Sequence, residues 1–354
     1  MKTMKTLKKI SLILLMIMVS IPTFACDIDG DGIDDPTSVD MSTGSWVWSS
    51  YLSSTSSVVT KSGLGMAGSF PVAGKYFNST QDVFGVVNAN AFWSFVQPTT
   101  PVPSGSIYTL GFPYGRVDAN YLGGRDYDGD GIDDATKFIN RCNKLKRSCY
   151  SKRTRPNVLL NIVSGGVPFS NLGGTFSAGF FGSGLAPIMS ADIDNDGDDD
   201  ICWAKDNINK PKTFKLICKD VLSDSKIFSR KIGRLFSKVY SLEINGAGDF
   251  FFSYKKRNAF GDTKIFLYDT VGNKSVHFIP VQGDIVTGDY LGTGSEQIGI
   301  ATGGTLTIFD PITQALAGSL PMPAGTPIDC SNTLNGPSEA KTYTSRNICK
   351  AKGC

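Results

Sequence analysis

Histidine is almost missing from this 354-residue chain: His277 is the only one. That scarcity excludes a histidine-rich zinc site. Any Ser-His-Asp or Cys-His apparatus would have to be built around His277. The residue lies in an alternating, strand-like run, Ser275-Val-His-Phe-Ile-Pro280, and no nucleophile elbow accompanies it. The glycines form no phosphate-binding motif and instead mark turns. Long helical periodicity is absent, and short runs of β-branched and aromatic residues take its place.

Long apolar runs are equally scarce. One stands at the N-terminus, where Lys2, Lys5, Lys8 and Lys9 precede the twelve residues Ile10 to Ile21, followed by Pro22-Thr-Phe-Ala25. Residues 1–25 read as a signal peptide, because the run is too short for a permanent spanning helix. The expectation is an exported protein without a transmembrane segment: secreted, periplasmic or on the cell surface. Cleavage after Ala25 would expose Cys26, which raises a lipoprotein as the alternative, although Thr23 stands where a leucine is usual. The cysteines number eight, and lipidating one would leave an odd count in an oxidising compartment. Four disulfides are therefore expected. Spacing favours the local pairs Cys142–Cys149 and Cys202–Cys218. The other four cysteines allow three connectivities, of which Cys26–Cys330 with Cys349–Cys354 is preferred.

What the chain has in abundance is aspartate in one pattern. Asp27-Ile-Asp-Gly-Asp-Gly-Ile-Asp-Asp35, Asp126-Tyr-Asp-Gly-Asp-Gly-Ile-Asp-Asp134 and Asp192-Ile-Asp-Asn-Asp-Gly-Asp-Asp-Asp200 are three copies of a nonapeptide. Carboxylates at positions 1, 3, 5 and 9, with the carbonyl of position 7, can converge on a hard cation if the chain curls. The candidate ligands are Asp27, Asp29, Asp31, Ile33 and Asp35; Asp126, Asp128, Asp130, Ile132 and Asp134; and Asp192, Asp194, Asp196, Asp198 and Asp200. So many like charges in nine residues are costly without a metal, so three calcium ions coupled to folding are expected. An EF-hand is excluded: its bidentate glutamate at position 12 is Ser38, Lys137 or Trp203 here, and strand-like residues follow each loop.

Degenerate copies extend the pattern. Asp289-Tyr-Leu-Gly-Thr-Gly-Ser-Glu-Gln297 keeps the first aspartate and both glycines, Glu243-Ile-Asn-Gly-Ala-Gly-Asp249 is shortened, and Lys75-Tyr-Phe-Asn-Ser-Thr-Gln-Asp-Val83 keeps only the frame, with Asp82 where Asp34 sits. Starts at 27, 75, 126, 192, 243 and 289 give a period near 50, with one interval of 66 that carries an insertion. Each unit holds four short strand-like runs, which is the signature of a propeller. Residues Phe181-Gly-Ser-Gly-Leu-Ala-Pro-Ile-Met-Ser-Ala-Asp192, followed directly by an acidic loop, resemble the FG-GAP (VCBS) repeat of the integrin α-chain head. That resemblance implies calcium in the hairpin between the first two strands of a blade, and metal binding is carried to the three complete loops only. Integrin-type propellers have seven blades. The expectation is an all-β propeller of six four-stranded blades over residues 26–335, with seven as the alternative and a tail over 336–354. Thr326-Pro-Ile-Asp-Cys330 resembles the strand that would close the first blade.

Charge is segregated. Sixteen of the 32 acidic residues lie in the three complete loops, so the rest of the surface is basic. Eight bases and no acid occur from Lys137 to Arg155, in an insertion at about 139–155 that includes Lys144, Lys146, Arg147, Lys152, Arg153 and Arg155. A calcium-neutralised, basic protein suits a polyanionic partner. Nucleic acid ranks below a glycan, because the aromatic residues are not interleaved with this stretch. Trp46, Trp48, Trp93 and Trp203 are candidates for sugar-stacking platforms or for blade core. The expected function is a binding or adhesion module for a surface glycan or protein, without catalysis. The alternatives are a lyase-like enzyme acting on acidic polysaccharide and a structural component of a surface assembly.

Overall fold

The structure, a computed structural model, describes residues 26–77, 80–88, 90, 92–96, 108–109, 120–141, 157–163, 187–206, 214–223, 225–233, 238–244, 247–254, 263–268, 274–279 and 282–330. The leader, the basic residues 144–155, the Cys142–Cys149 pair and the tail with Cys349 and Cys354 lie outside the described residues.

Among the described residues every regular element is a strand, and no helix is long and apolar enough to cross a membrane. The strands pair antiparallel into six sheets, five of four strands and one of three. In every sheet but the first, the acidic loop or its degenerate copy joins the first strand to the second in a meander. In the fourth sheet, for example, Pro187–Ala191 enters the loop and Asp200–Asp206 leaves it. First strands of successive sheets touch one another: Pro187–Ala191 meets Lys238–Ile244, which meets Asp284–Gly288, which meets Thr326–Ile328. The architecture is all-β and propeller-like.

The first sheet is assembled from both ends of the chain. Thr37–Asp40, Ser45–Leu52 and Ser57–Met66 come from its beginning, and Thr326–Ile328 comes from its end, pairing Thr37 with Ile328 and Val39 with Thr326. Thr326–Ile328 is the strand that the sequence pattern expected at the closure. In the other sheets the peptide chain itself runs from first strand to loop. Here Cys330 follows the first strand, Cys26 precedes the loop, and the disulfide Cys26–Cys330 makes the connection instead. Gly124 of the third sheet, at φ +64°, passes so near that a Cβ there would lie 1.9 Å from the Cys330 carbonyl oxygen. Only glycine fits both the left-handed backbone and that approach.

Period-2 alternation explains the core. In Ser45–Leu52 the buried positions are Trp46, Trp48, Ser50 and Leu52, with exposed or half-buried neighbours between them. Trp48 stacks on Phe84 of the second sheet at 5.1 Å and donates its indole N–H to the Leu64 carbonyl at 2.9 Å. Tyr76, Trp93 and Phe95 cluster inside the second sheet. Trp46, Trp48 and Trp93 are thus core residues and not sugar platforms. Each large side chain removed from water contributes about 1.5–3 kcal/mol.

A hydrogen-bonded clasp recurs between neighbouring sheets. The residue at loop position 8 donates its N–H to the carbonyl of position 1 in the preceding unit, and that position 1 returns its own N–H to the position 8 carboxylate. The pairs are Asp82 with Asp27, Asp133 with Lys75, Asp199 with Asp126, Glu296 with Glu243, and Asp34 with Asp289. The last joins the first unit to the sixth across 255 residues. Among the described residues no such pair joins the fourth unit to the fifth, whose loop is shortened to seven residues.

Replacing Cys26 and Cys330 together by serine is expected to lower the unfolding free energy by about 2–5 kcal/mol, because this crosslink closes nearly the whole chain. The Cys202→Ser, Cys218→Ser pair closes a short hairpin (16 residues apart) and should cost less, about 3 kcal/mol or under. Urea unfolding of the two double variants, with the disulfide-bonded wild type as reference, checks the order.

Candidate metal centres

The loops curl because their own backbone amides are captured by the first aspartate. Asp27 accepts from Gly30 and Gly32 at 2.7 and 3.1 Å, Asp126 from Gly129 and Gly131 at 2.7 Å each, and Asp192 from Asp196 and Gly197 at 3.2 and 3.1 Å. Position 6 takes a positive φ in each: +84° at Gly32, +83° at Gly131 and +100° at Gly197. Position 9 is tied back to the amide of position 2, with Asp35 accepting from Ile28, Asp134 from Tyr127 and Asp200 from Ile193 at 2.8–3.0 Å. Position 7 donates its N–H to position 5: Ile33 to Asp31, Ile132 to Asp130 and Asp198 to Asp196.

These bonds gather carboxylate oxygens. Asp27, Asp29 and Asp31 lie within 4.8 Å of one another, as do Asp126, Asp128 and Asp134, and Asp192, Asp194 and Asp200. Positions 1 and 3 meet in every loop, joined by position 5 in the first and by position 9 in the other two. Asp35, Asp130 and Asp196 stay in the loop, bonded to backbone amides. In the first loop Ser53 and Ser54 reach across to Asp31 and Asp29, and the Ser53 amide donates to Asp35 at 2.7 Å.

The electrostatics ask for positive charge. Burial pushes Asp126 up to about 6, with the neighbouring Asp199 adding to it. Burial, and then nearby Asp29, raises Asp35 to about 7. Asp198 reaches about 7 and Asp200 about 8, again from burial first and the surrounding aspartates next. Asp128 Oδ1, Asp198 Oδ1 and Asp200 Oδ1 are buried with no hydrogen-bond partner. A hard divalent cation answers all of this, supplying charge and accepting oxygen ligands without directional demands. The donor set of carboxylates and carbonyls therefore fits calcium.

The sixth loop shows what stands there when the acids are lost. Gln297 occupies position 9. Its amide nitrogen donates to Asp289 Oδ1 at 3.0 Å and Thr293 Oγ1 at 2.8 Å, and to the Ser295 carbonyl. Those oxygens belong to positions 1, 5 and 7, the same positions that the acidic loops offer to a metal. Asp289 still holds the amides of Thr293 and Gly294. The loop keeps its shape because a side-chain donor fills the centre.

Sequence reasoning passed over position 8. Its signal was present: an acid recurs there as Asp34, Asp82, Asp133, Asp199 and Glu296, even in copies that lost the metal positions. These carboxylates are buried at the joints, and burial raises Asp133 and Asp199 to about 6. Two cations face them, Arg125 buried and Lys75 half-buried. Arg125 pairs with Asp199 at 3.2 Å and also donates to Ser241. Burial pulls the Lys75 ammonium down, but Asp82, Asp133, Asp27 and Asp34 together hold it above its ordinary value.

The basic insertion leaves from the other end of its sheet. Ala135–Arg141 starts directly after the second acidic loop and pairs with Asn157–Val163, with Arg141 opposite Asn157 at the far end of the strand. The Cys202–Cys218 disulfide bridges directly paired strand residues, as the spacing suggested. Disulfides of this kind belong to oxidising, extracytoplasmic compartments.

No family model matches the chain, and no curated protein matches it. Solved structures are similar to it only at low identity and low TM-score. One is Kuenenia stuttgartiensis hydrazine synthase, 13% identical, with 88% of this chain and 90% of that one covered and a TM-score of 0.43. Another is apo AztD from Citrobacter koseri, 10% identical, with 83% and 88% covered and a TM-score of 0.38. A third is a Mycobacterium tuberculosis puromycin-hydrolyzing peptidase, 10% identical and with a TM-score of 0.33, of which this chain spans half the length. At these values they assign no activity to the chain.

Two outcomes are expected. The loop aspartates with raised values contribute stability that is present below about pH 4 and lost as the pH climbs through 6 to 8. Protein in chelator should therefore melt at lower temperature near pH 8 than near pH 5. In calcium that loss should vanish, because the cation holds the carboxylates ionised. At a hundredfold excess over Kd each site adds ~2.7 kcal/mol, so three sites should raise the midpoint near pH 8 by about 10 °C; differential scanning fluorimetry across pH reads both curves. Gln297→Leu should cost about 1–3 kcal/mol by stranding buried acceptors, and urea unfolding should give the same cost in calcium and in chelator.

Proposed function

We propose that the chain is an exported, calcium-stabilised β-propeller that binds a polyanionic partner, a surface glycan or an acidic surface protein. In this reading the six sheets are the blades of one closed ring. The clasps support it, since they run from the first unit to the fourth and from the fifth through the sixth back to the first. The three complete loops are structural calcium sites. The observation that carries this is the Gln297 amide, which occupies in the sixth loop the place that an ion would take in the others. Calcium ties each loop across one end of its blade and stiffens the frame.

The contact surface is assigned to the opposite end, where the strands flanking residues 142–156 stop. Lys144, Lys146, Arg147, Lys152, Arg153 and Arg155 supply positive charge without an intervening acid. Sulfate and carboxylate groups of an acidic glycan are the complementary chemistry. The role is recognition, with the propeller serving as a rigid platform.

Binding of the mature protein to an array of sulfated and uronic-acid glycans tests the reading. Replacing the six basic residues by glutamine should reduce retention at least tenfold while the calcium-dependent melting midpoint stays unchanged. Equal binding by both proteins would remove the insertion from the contact. Shortened products released from an acidic polysaccharide would replace recognition by catalysis.

A further inference from the structure

The third acidic loop contains more carboxylate than one ion uses. Asp220 lies outside the repeat, in the turn that follows Phe214–Lys219. Strand Asp200–Asp206 pairs with that strand, Ile201 opposite Lys219 and Cys202 opposite Cys218, so Asp200 and Asp220 come next in register. The Cys202–Cys218 disulfide, two residues from each aspartate, locks the register. Carboxylate oxygens of Asp198, Asp200 and Asp220 lie within 4.8 Å of one another, in a second group that shares Asp200 with that of Asp192 and Asp194.

Two of these aspartates have an oxygen with nothing to bind. Asp200 is 0% exposed and Asp198 is 9% exposed, and Oδ1 of each is buried with no hydrogen-bond partner. The other oxygen of Asp200 is occupied by the Ile193 amide at 2.8 Å. Asp220 is held in place by the Leu222 and Ser223 amides at 2.7 and 3.0 Å on its Oδ1 and by the Ser223 hydroxyl on its Oδ2. The corresponding turn of the first unit is built differently. There Ser53 and Ser54 donate to Asp35, Asp31 and Asp29 and satisfy them. Where the first loop receives hydrogen-bond donors, the third receives another acid.

We propose that the third loop binds two cations, the second held by Asp198, Asp200 and Asp220, with Asp200 shared between the sites. The set is all oxygen and trianionic, which suits calcium or a lanthanide better than a metal that prefers nitrogen or sulfur. The side chain of Asp198 gains a role here, whereas the repeat uses only its backbone. This inference rests on the reading of the three complete loops as calcium sites.

Native mass spectrometry of the mature, calcium-loaded protein counts the ions, and anomalous scattering from terbium-soaked crystals locates them. The wild type should carry four ions, with two peaks beside Asp200, and Asp220→Asn should lose the ion beside residue 220 and keep the other three. Three ions in both proteins would overturn the second site and leave the loop reading standing. No bound ions in either would overturn both. The disulfide-bonded hairpin and the calcium-dependent melting midpoint show whether Asp220→Asn is folded. If it is not, the terbium peaks in the wild type decide alone: one peak beside Asp200 overturns the inference and two support it.

Discussion

The clasp that recurs between neighbouring units is the constraint on which the rest of the molecule depends. Antiparallel meanders of this length have no reason of their own to stand beside one another in a ring, because sheet–sheet packing through apolar faces is only loosely directional. The joints add direction. A buried carboxylate at position 8 and the amide next to it grip the amide and carbonyl of position 1 in the neighbouring unit. Backbone groups take part on both sides, so the grip holds the two units in one register and is indifferent to most side chains at position 1: lysine serves in the second unit and glutamate in the fifth.

That grip has an electrostatic cost, and the nonapeptide is where the cost is managed. Position 8 carboxylates are removed from water, and the aspartates at positions 1, 3, 5 and 9 of the complete loops crowd further negative charge nearby. Arg125 and Lys75 compensate at the second to fourth units. Elsewhere the acids must be met by protons, by amide donors or by cations. Gln297 and Asp200 show two solutions to the same problem at the same loop position. One supplies an internal N–H for the centre, and the other leaves an oxygen open. What fills the centre is thus a property of individual loops and not of the fold as a whole.

The three acidic loops, the period near fifty residues and the closing strand at Thr326–Ile328 were all legible from the residues, because each depends on local chemistry: turn glycines, alternating strands and oxygen donors at fixed spacing. Position 8 was visible as a recurring acid but not interpretable, since its partner is a backbone group 53 to 73 residues away or, for Asp34, at the other end of the chain. Asp220 was invisible as part of a loop. Only the strand pairing and the Cys202–Cys218 disulfide bring it beside Asp200.

By itself the sequence determined the kind of element, the repeat and the places where a hard cation can be held, since those follow from short-range periodicity and from which atoms a residue carries. Tertiary structure alone decided how the units are joined, which aspartates converge and which are absorbed by backbone amides. It also decided that a glutamine amide fills the centre of the sixth loop. Those outcomes rest on distances between residues far apart in the chain, and such distances exist only after the sheets have packed.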